Sequence, residues 1–439
     1  MRERLPQSVE SLVSYMEYRI WNLEFKFQIP DSGNQMPAIC LYLHTHQPRR
    51  LKKMSVFDIG AHGNYFDDHN NRQILEKIAR KSYLPTNLML LDLIRRSRGR
   101  FKISMSITGI LLEQLEAEFP EVLKSFKDLV DTGCCELISE TYYHSLASVY
   151  SKDEFKDQVA KQNRMFKKLF DYEPNFFRNT ELVYNNDIAQ AVSEMGFSGM
   201  LAEGWDEILG WRSPNFLYKA KGSPLKLLVR NYRLSDDIGF RFSNRDWKEW
   251  PLTAEKYVGW VNLLNIGDKC QTLNLFMDYE TFGEHQWEET GIFNFFKQFC
   301  WQALEHPQNS FTTPSKLIEA NEPAGELDFH RLVSWADMER DLSAWIGNKM
   351  QQAALEKIYS IEKEIKLADD PVLLDEWRKL QTSDHFYYMC TKWFSDGDVH
   401  KYFNPYESPY ESFIAFMNVY DDIKIKVDNI LKSKSKVAQ

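Results

Sequence analysis

Short apolar runs alternate along most of the chain with longer stretches whose apolar positions recur every three or four residues. The apolar runs cover residues 38–43, 101–107, 135–139, 176–180, 198–202, 226–229 and 273–277, and they predict strands. Helical patterns follow the first at 71–80 and 85–97, and the second at 109–119 and 120–133. Others follow the third at 153–170 and the fourth at 186–195. Strands alternating with helices imply parallel strands joined by crossover helices. Seven such strands predict an α/β fold built on an incomplete (β/α)7 barrel rather than a doubly wound sheet.

The last third changes character. Residues 341–367 read as one helix, with Leu342, Trp345, Ile346, Met350, Ala354, Ile358, Ile361 and Ile365 on its apolar stripe. Two more helices are predicted at 371–381 and 409–431, and together they imply a C-terminal α-helical bundle. The expected division is an N-terminal extension over 1–35, a catalytic barrel over 36–310 and a helical domain over 311–439 that contributes to the substrate cleft. The extension ends in the turn-like Pro30-Asp31-Ser32-Gly33-Asn34, and Met36 opens the first core strand. Residues 1–35 are therefore expected to be dispensable, with Met36 a candidate natural start.

The strand ends carry the chemistry. The first runs into His44-Thr45-His46-Gln47, the third into Glu140-Thr141-Tyr142-Tyr143-His144, and the fourth into Glu181. The fifth runs into Glu203-Gly204-Trp205-Asp206-Glu207, the sixth into Arg230-Asn231-Tyr232-Arg233, and the seventh into Asp278. In a parallel α/β barrel these ends converge on one mouth. Six polar ends together point to a single polar cleft.

Glu181 and Asp278 are the two carboxylates of interest. Glycoside cleavage needs one acid to protonate the leaving oxygen and a second carboxylate to attack carbon or activate water. An apolar or aromatic wall raises the pKa of the acid, and Phe276, Tyr279 and Phe282 flank Asp278. Arg178, three residues before Glu181, would hold that carboxylate ionised if the guanidinium came close. Cap or salt-bridge roles are the alternative for each acid.

His44-Thr45-His46 can be read in three ways. Alternate strand residues share a face, so an H-x-H can bind zinc, with Asp67-Asp68-His69 as a source of a carboxylate ligand. One histidine could instead be a buried, hydrogen-bonded core residue. The preferred reading is that His46 hydrogen-bonds a sugar hydroxyl, with no metal and no cofactor. Aromatic residues make up 14% of the chain, and Trp205, Trp211, Trp287, Trp335 and Trp345 are candidate stacking platforms among 12 tryptophans.

Composition narrows the class. The formal charge of −9 over 439 residues, without a basic stripe, argues against a nucleic-acid partner. No run of about 18 apolar residues predicts a membrane span, and the N-terminus lacks a secretory h-region. The six cysteines form no C-x-x-C pair, which suits free thiols in a reducing, cytoplasmic location. No P-loop, Gly-x-Gly-x-x-Gly or Gly-x-Ser-x-Gly motif occurs.

Five segments in order resemble glycoside hydrolase family 57, the α-amylase-like enzymes. They are LHTHQP (Leu43 to Pro48), ETYYHSL (Glu140 to Leu146), FRNTELVY around Glu181, MDYETFGEH around Asp278, and RDLSAWIGNKMQ with Trp345. The resemblance spans roughly residues 36–432. It implies an incomplete seven-stranded barrel, Glu181 as nucleophile and Asp278 as general acid/base. It also implies substrate contacts from His44, His46, Gln47, Glu140, His144, Arg178, Trp205, Glu280, His285 and Trp345. Some members have Tyr-Tyr-Glu where this chain has Tyr142-Tyr143-His144, so substrate type stays open. The expected activity is a retaining α-amylase acting on α-1,4 links of glycogen or maltodextrin. The alternatives are an α-glucan transferase of the 4-α-glucanotransferase or branching type, or a non-catalytic glucan-binding homologue. Removing residues 1–35 is expected to leave activity and stability intact, which turnover and thermal melting of the truncated chain would check.

Overall fold

The computed structural model describes residues 38–61, 63–264, 270–307, 309–392 and 404–437. The expected extension, residues 1–35, lies outside them. All seven expected strands form. In chain order the strands are β1 (Ala38–Thr45), β2 (Ile103–Ile107), β3 (Cys135–Leu137), β4 (Phe176–Arg178), β5 (Gly199–Glu203) and β6 (Leu217–Ala220). They continue with β7 (Lys226–Arg230), β8 (Thr272–Asp278), β9 (Ser310–Thr312) and β10 (Glu326–Leu327).

Two sheets make the barrel. One runs β3-β2-β1-β8 with β9 also beside β1, and the other runs β10-β6-β7-β5-β4. They meet at two narrow seams. At the first, the amide of Ser139 donates to Phe176 at 3.0 Å and that of Arg178 to Ser139 at 2.8 Å. At the second, the Asn231 amide donates to the Asn274 carbonyl at 2.9 Å, and Asn274 Nδ2 donates to Val229 at 2.9 Å. Strands β1, β2, β3, β4, β5, β7 and β8 thus form an incomplete parallel (β/α)7 barrel, closed by few bonds. The short β6 pairs antiparallel to β7, and with β9 and β10 it was not expected. Pieces of two to four residues carry too little alternation to stand out.

Alternation sorts the side chains. Cys40 and Tyr42 of β1 point into the barrel with Ile138, Phe176, Leu201, Leu228 and Phe276. Ile39, Leu41 and Leu43 point outward and pack on helices through Leu75, Leu90 and Phe126. Strands buried on both faces read as unbroken apolar runs, which is why all seven were visible. The outer faces of β4, β5 and β7 join a second outer core with Trp345, Trp377 and Phe416 of the C-terminal helices.

Three helical expectations change. The segment read as one helix over 341–367 is three: Ser343–Ile346, Lys349–Ser360 and Glu362–Ala368. Asn348 makes the first break. Its side chain accepts from the amides of Met350 and Gln351, and Gln351 reaches back to the Asn348 amide, each at 3.0 Å. This capping box starts a new helix without disturbing the apolar spacing. Conversely, the two helices expected at 71–80 and 85–97 are continuous. Asp68–Ile78 passes through a π-helical turn, Ala79–Tyr83, into Leu84–Arg96. The wide turn accommodates Pro85, which has no amide proton to offer. The last helix runs further than expected, Pro409–Val437.

The expected barrel boundary at 310/311 falls inside β9, which pairs with β1. Residues 328–342 then run back over the barrel, and we place the change to helical architecture at Ser343.

Loop packing after β8 yields a stability test. Gly283 has φ +98°, and a Cβ there would lie 1.9 Å from the Lys81 carbonyl; Gly291 has φ +85° with open space around it. Gly291→Ala meets only the left-handed backbone and should cost about 1 kcal/mol. Gly283→Ala must also displace the helix behind it and should cost roughly 3 kcal/mol or more. Urea midpoints of the two variants check the order.

Candidate active site

Residue alternation and strand register set the floor of the mouth. β1 pairs His44 with Ser106 on one side and Asp278 on the other. His44 Nδ1 lies 3.0 Å from Ser106 Oγ, and its Nε2 lies 3.0 Å from Nε2 of His144. His46, two residues on, shares the face: its Nδ1 is 2.9 Å from Thr108 Oγ1 and its Nε2 is 3.0 Å from Asp384 Oδ2. The rings of His46 and His144 stack with centroids 4.1 Å apart. His144 Nδ1 completes the chain at 3.0 Å from Ser383 Oγ.

Asp67 and Asp68 do not serve these histidines. Asp67 caps the helix that follows, accepting from the Asn70 amide, and Asp68 pairs with Arg49 at 3.2 Å. The carboxylate at His46 is Asp384, from the short helix Ser383–Tyr387.

Arg178 ends β4 with no exposed surface. Its Nη1 is 3.2 Å from His144 Nε2 and 3.9 Å from Glu140 Oε2. Glu140 is equally buried, and neither of its oxygens has a hydrogen-bond partner. Burial pushes the Glu140 carboxyl up to about 8, against the lowering pull of Arg178. Burial likewise drives His144 down to about 3, with the neighbouring His46 adding to the effect. His44 also falls well below its ordinary value, by burial and then by Arg178. Burial thus disfavours the cationic forms of His44 and His144 and the anionic form of Glu140 around the Arg178 guanidinium.

Glu181 sits just above. Its backbone is left-handed, φ 54° and ψ 27°, and Leu182 follows at φ 50°. Two successive non-glycine residues in that region are costly and must be over-determined by their surroundings. Trp335 supplies the restraint: its amide donates to the Glu181 carbonyl at 3.2 Å, and its Nε1 donates to Glu181 Oε2 at 2.8 Å. Ser383 Oγ lies 3.4 Å from Oε1.

The expected ionising effect of Arg178 on Glu181 is real but does not win. Burial lifts the Glu181 carboxyl to about 7, with Arg178 and the Trp335 hydrogen bond pulling down, and the charges of Asp384 and Asp278 pushing further up. The guanidinium is committed to His144 and Glu140 on the side below.

Asp278 caps β8. Burial raises its carboxyl, opposed first by His285 and then by Arg178, Arg230 and His46. The aromatic neighbours act indirectly, since Tyr279 and Phe282 are buried in the outer core and Phe276 fills the lumen. Glu280 leaves the strand pattern in a 3-10 turn, Tyr279–Thr281. It is buried, accepts from Tyr83 at 2.5 Å, and burial lifts it to about 8, the Asp278 charge adding. It stands behind Asp278 rather than on the lip. Glu284, in the same loop, is buried against Lys77 at 2.5 Å. His285 is partly exposed.

Other expected contacts fall elsewhere. Gln47 is buried and accepts from Arg50 at 3.2 Å. Trp205 is half-buried under the Arg331 guanidinium, 4.4 Å from its ring. Trp345, 1% exposed, packs in the helical core beside Tyr387, so its faces are closed to a sugar. Trp211 and Trp287 are exposed.

Two groups, His44/Glu140/His144 and His46/His144/Asp384, bring metal-type ligand atoms within 4.8 Å. In the first, the Arg178 guanidinium already stands against His144. In the second, His46 and Asp384 are spent on each other and His144 Nδ1 on Ser383. These donor sets fit a hydrogen-bonded scaffold better than a cation.

The description Glycosyl hydrolase family 57 belongs to the family model that matches residues 40–330. The chain belongs to glycoside hydrolase family 57. A Methanocaldococcus jannaschii protein named "Putative alpha-amylase" is 42% identical over 409 residues, covering 90% of this chain and 85% of that protein. The fold is similar to that of a branching enzyme from Pyrococcus horikoshii, at TM-score 0.63 and 17% identity over 84% of this chain and 87% of that one. It is also similar to 4-alpha-glucanotransferase from Thermococcus litoralis, at TM-score 0.61 and 16% identity over 80% of this chain and 56% of that one. A third likeness is the alpha-amylase AmyC of Thermotoga maritima, at TM-score 0.56 and 15% identity over 91% and 96%. As a family 57 member the protein is a glycoside hydrolase.

The family match holds Glu181 and Asp278 but stops before Trp335, Ser383 and Asp384. Sequence reasoning left Ser383 and Asp384 out, because a polar pair in a five-residue helix carries no periodic signal. Trp335 stood only among five candidate platforms, with nothing to set it apart. Since Asp384 raises the Glu181 carboxyl, Asp384→Asn should lower the pH at which Glu181 titrates to below about 7. The indole Nε1–H resonance of Trp335 in a labelled sample, followed against pH, checks this.

Proposed function

We propose that this family 57 enzyme is a retaining α-glucan hydrolase, an α-amylase cleaving α-1,4 links of glycogen or maltodextrin. Glu181 attacks the anomeric carbon as Asp278 protonates the departing glycosidic oxygen, leaving a glycosyl-enzyme. Asp278, now a carboxylate, takes a proton from water, which attacks the same carbon and frees Glu181. The observation that carries this reading is the grip of Trp335 on Glu181. It restrains a carboxylate in a strained backbone, at a mouth where a second, buried carboxyl keeps its proton more readily than usual. The partly exposed His46 and His285 are the contacts for sugar hydroxyls at floor and rim, with the buried His44, His144, Glu140 and Arg178 beneath them. The M. jannaschii relative's name supports amylase activity, and the buried free cysteines suit a cytoplasmic location.

The Glu181 value sets a pH dependence. Attack needs the ionised form, so kcat/KM should fall as pH drops through about 7, approaching tenfold per unit well below it. Maltoheptaose is expected to yield only shorter sugars. Glu181→Gln should reduce turnover to background, and Asp278→Asn should cost about 10²–10⁴-fold in kcat. Products longer than maltoheptaose would reassign the protein to glucan transfer. Binding of glycogen with no turnover, unchanged by Glu181→Gln, would reassign it to the non-catalytic class.

A further inference from the structure

Behind Trp335 lies a cluster of charges that the proposed chemistry does not use. Glu203 ends β5, Arg230 ends β7, Asp236 lies on the helix Tyr232–Gly239, and Arg340 comes from the segment crossing the mouth. Glu203 Oε2 is 3.3 Å from Arg230 Nη1 and 3.4 Å from Arg340 Nη1. Asp236 binds Arg230 Nη2 on one side and lies 3.6 Å from Arg340 Nη2 on the other. Two carboxylates and two guanidiniums thus alternate in a ring, and the Glu203 side chain has no exposed surface.

The ring touches both halves of the candidate site. Arg340 Nη1 donates to the carbonyl of Trp335, the residue whose Nε1 holds Glu181. Arg230 Nε donates to the carbonyl of Phe276 at 2.8 Å, two residues before Asp278, and its guanidinium lies 5.7 Å from the Trp335 ring centroid. Arg178 covers that ring at 4.9 Å. The crossing segment closes on itself where the Ser334 amide donates to the Arg340 carbonyl at 3.0 Å, and it is anchored by the Tyr184–Val333 pair at 2.9 Å. Arg340 is itself left-handed, φ 51°, a conformation that its ion pairs and the Ser334 bond hold in place.

We propose that Arg340 is a positioning residue for hydrolysis. Through the Glu203–Arg230–Asp236 ring it sets the indole of Trp335 against Glu181 and ties that contact to the end of β8 carrying Asp278. The role rests on the reading of Glu181 as nucleophile, but the Trp335–Glu181 contact can be followed without turnover. Lysine at 340 keeps a cation but lacks the planar fork that serves two carboxylates and a carbonyl together.

The test uses the full chain labelled at tryptophan nitrogen, with the Trp335 indole resonance identified by its loss in Trp335→Phe. In Arg340→Ala this resonance should shift or broaden while the other eleven of the 12 indole signals keep their positions. On maltoheptaose, kcat should drop tenfold or more with KM within twofold. In the Trp335→Phe background the same change should cost under twofold, because the two residues act along one path. Arg340→Lys should fall between. If Arg340→Ala collapses all indole signals, Arg340→Lys decides alone: a displaced Trp335 resonance with lowered kcat supports the role. An unmoved Trp335 resonance, or additive losses in the double variant, overturns it. A wild-type chain without turnover on any α-glucan defeats the functional reading, while the resonance still decides whether Arg340 positions Trp335.

Discussion

The mouth of the barrel depends on one buried cation. Arg178 cannot lose its proton at any physiological pH, and a charge without solvent must be met by its neighbours. Glu140, His44, His144, Glu181 and Asp278 all feel its field. Burial nonetheless dominates each of them, disfavouring the charged forms of Glu140, His44, His144 and Asp278 and lifting the Glu181 carboxyl to about 7. A site in this condition is poised. Hydrogen bonding from Trp335 and the charges of Asp384 and Asp278 pull the Glu181 carboxyl in opposite directions.

Two parts of the chain divide the work. The barrel delivers side chains to the floor by strand alternation, and its neighbours in register, such as His44, Ser106 and Asp278, follow directly. The segment after β10 and the helix Ser383–Tyr387 come from above and supply Trp335, Ser383 and Asp384. These upper groups tune Glu181 without sitting on a strand: Trp335 favours its ionised form, Asp384 opposes it. The two sheets of the barrel meet only at narrow seams. Few bonds close the ring, so Arg230 and Arg340 add side-chain ties where the backbone has few.

Much of this was legible along the chain, and particular residues show why. Strands buried on both faces announce themselves as apolar runs, so all seven barrel strands and the residues at their ends could be read in advance. Helix breaks were not legible where apolar spacing continued across them, as at Asn348. Trp345 illustrates the opposite error. A tryptophan within a recognisable motif looked like a platform, yet its surroundings closed over it, and Trp335, ten residues earlier, holds the contact that matters.

By itself the sequence determined the alternation of strand and helix, the six polar strand ends and the choice of Glu181 and Asp278 as candidates, because these depend on local periodicity and on order along one chain. Only the tertiary structure decided the burial of Glu140, the grip of Trp335 on Glu181 and the entry of Asp384 beside His46. Each of those depends on burial and on distances between segments far apart in the chain, and no spacing along a sequence records either.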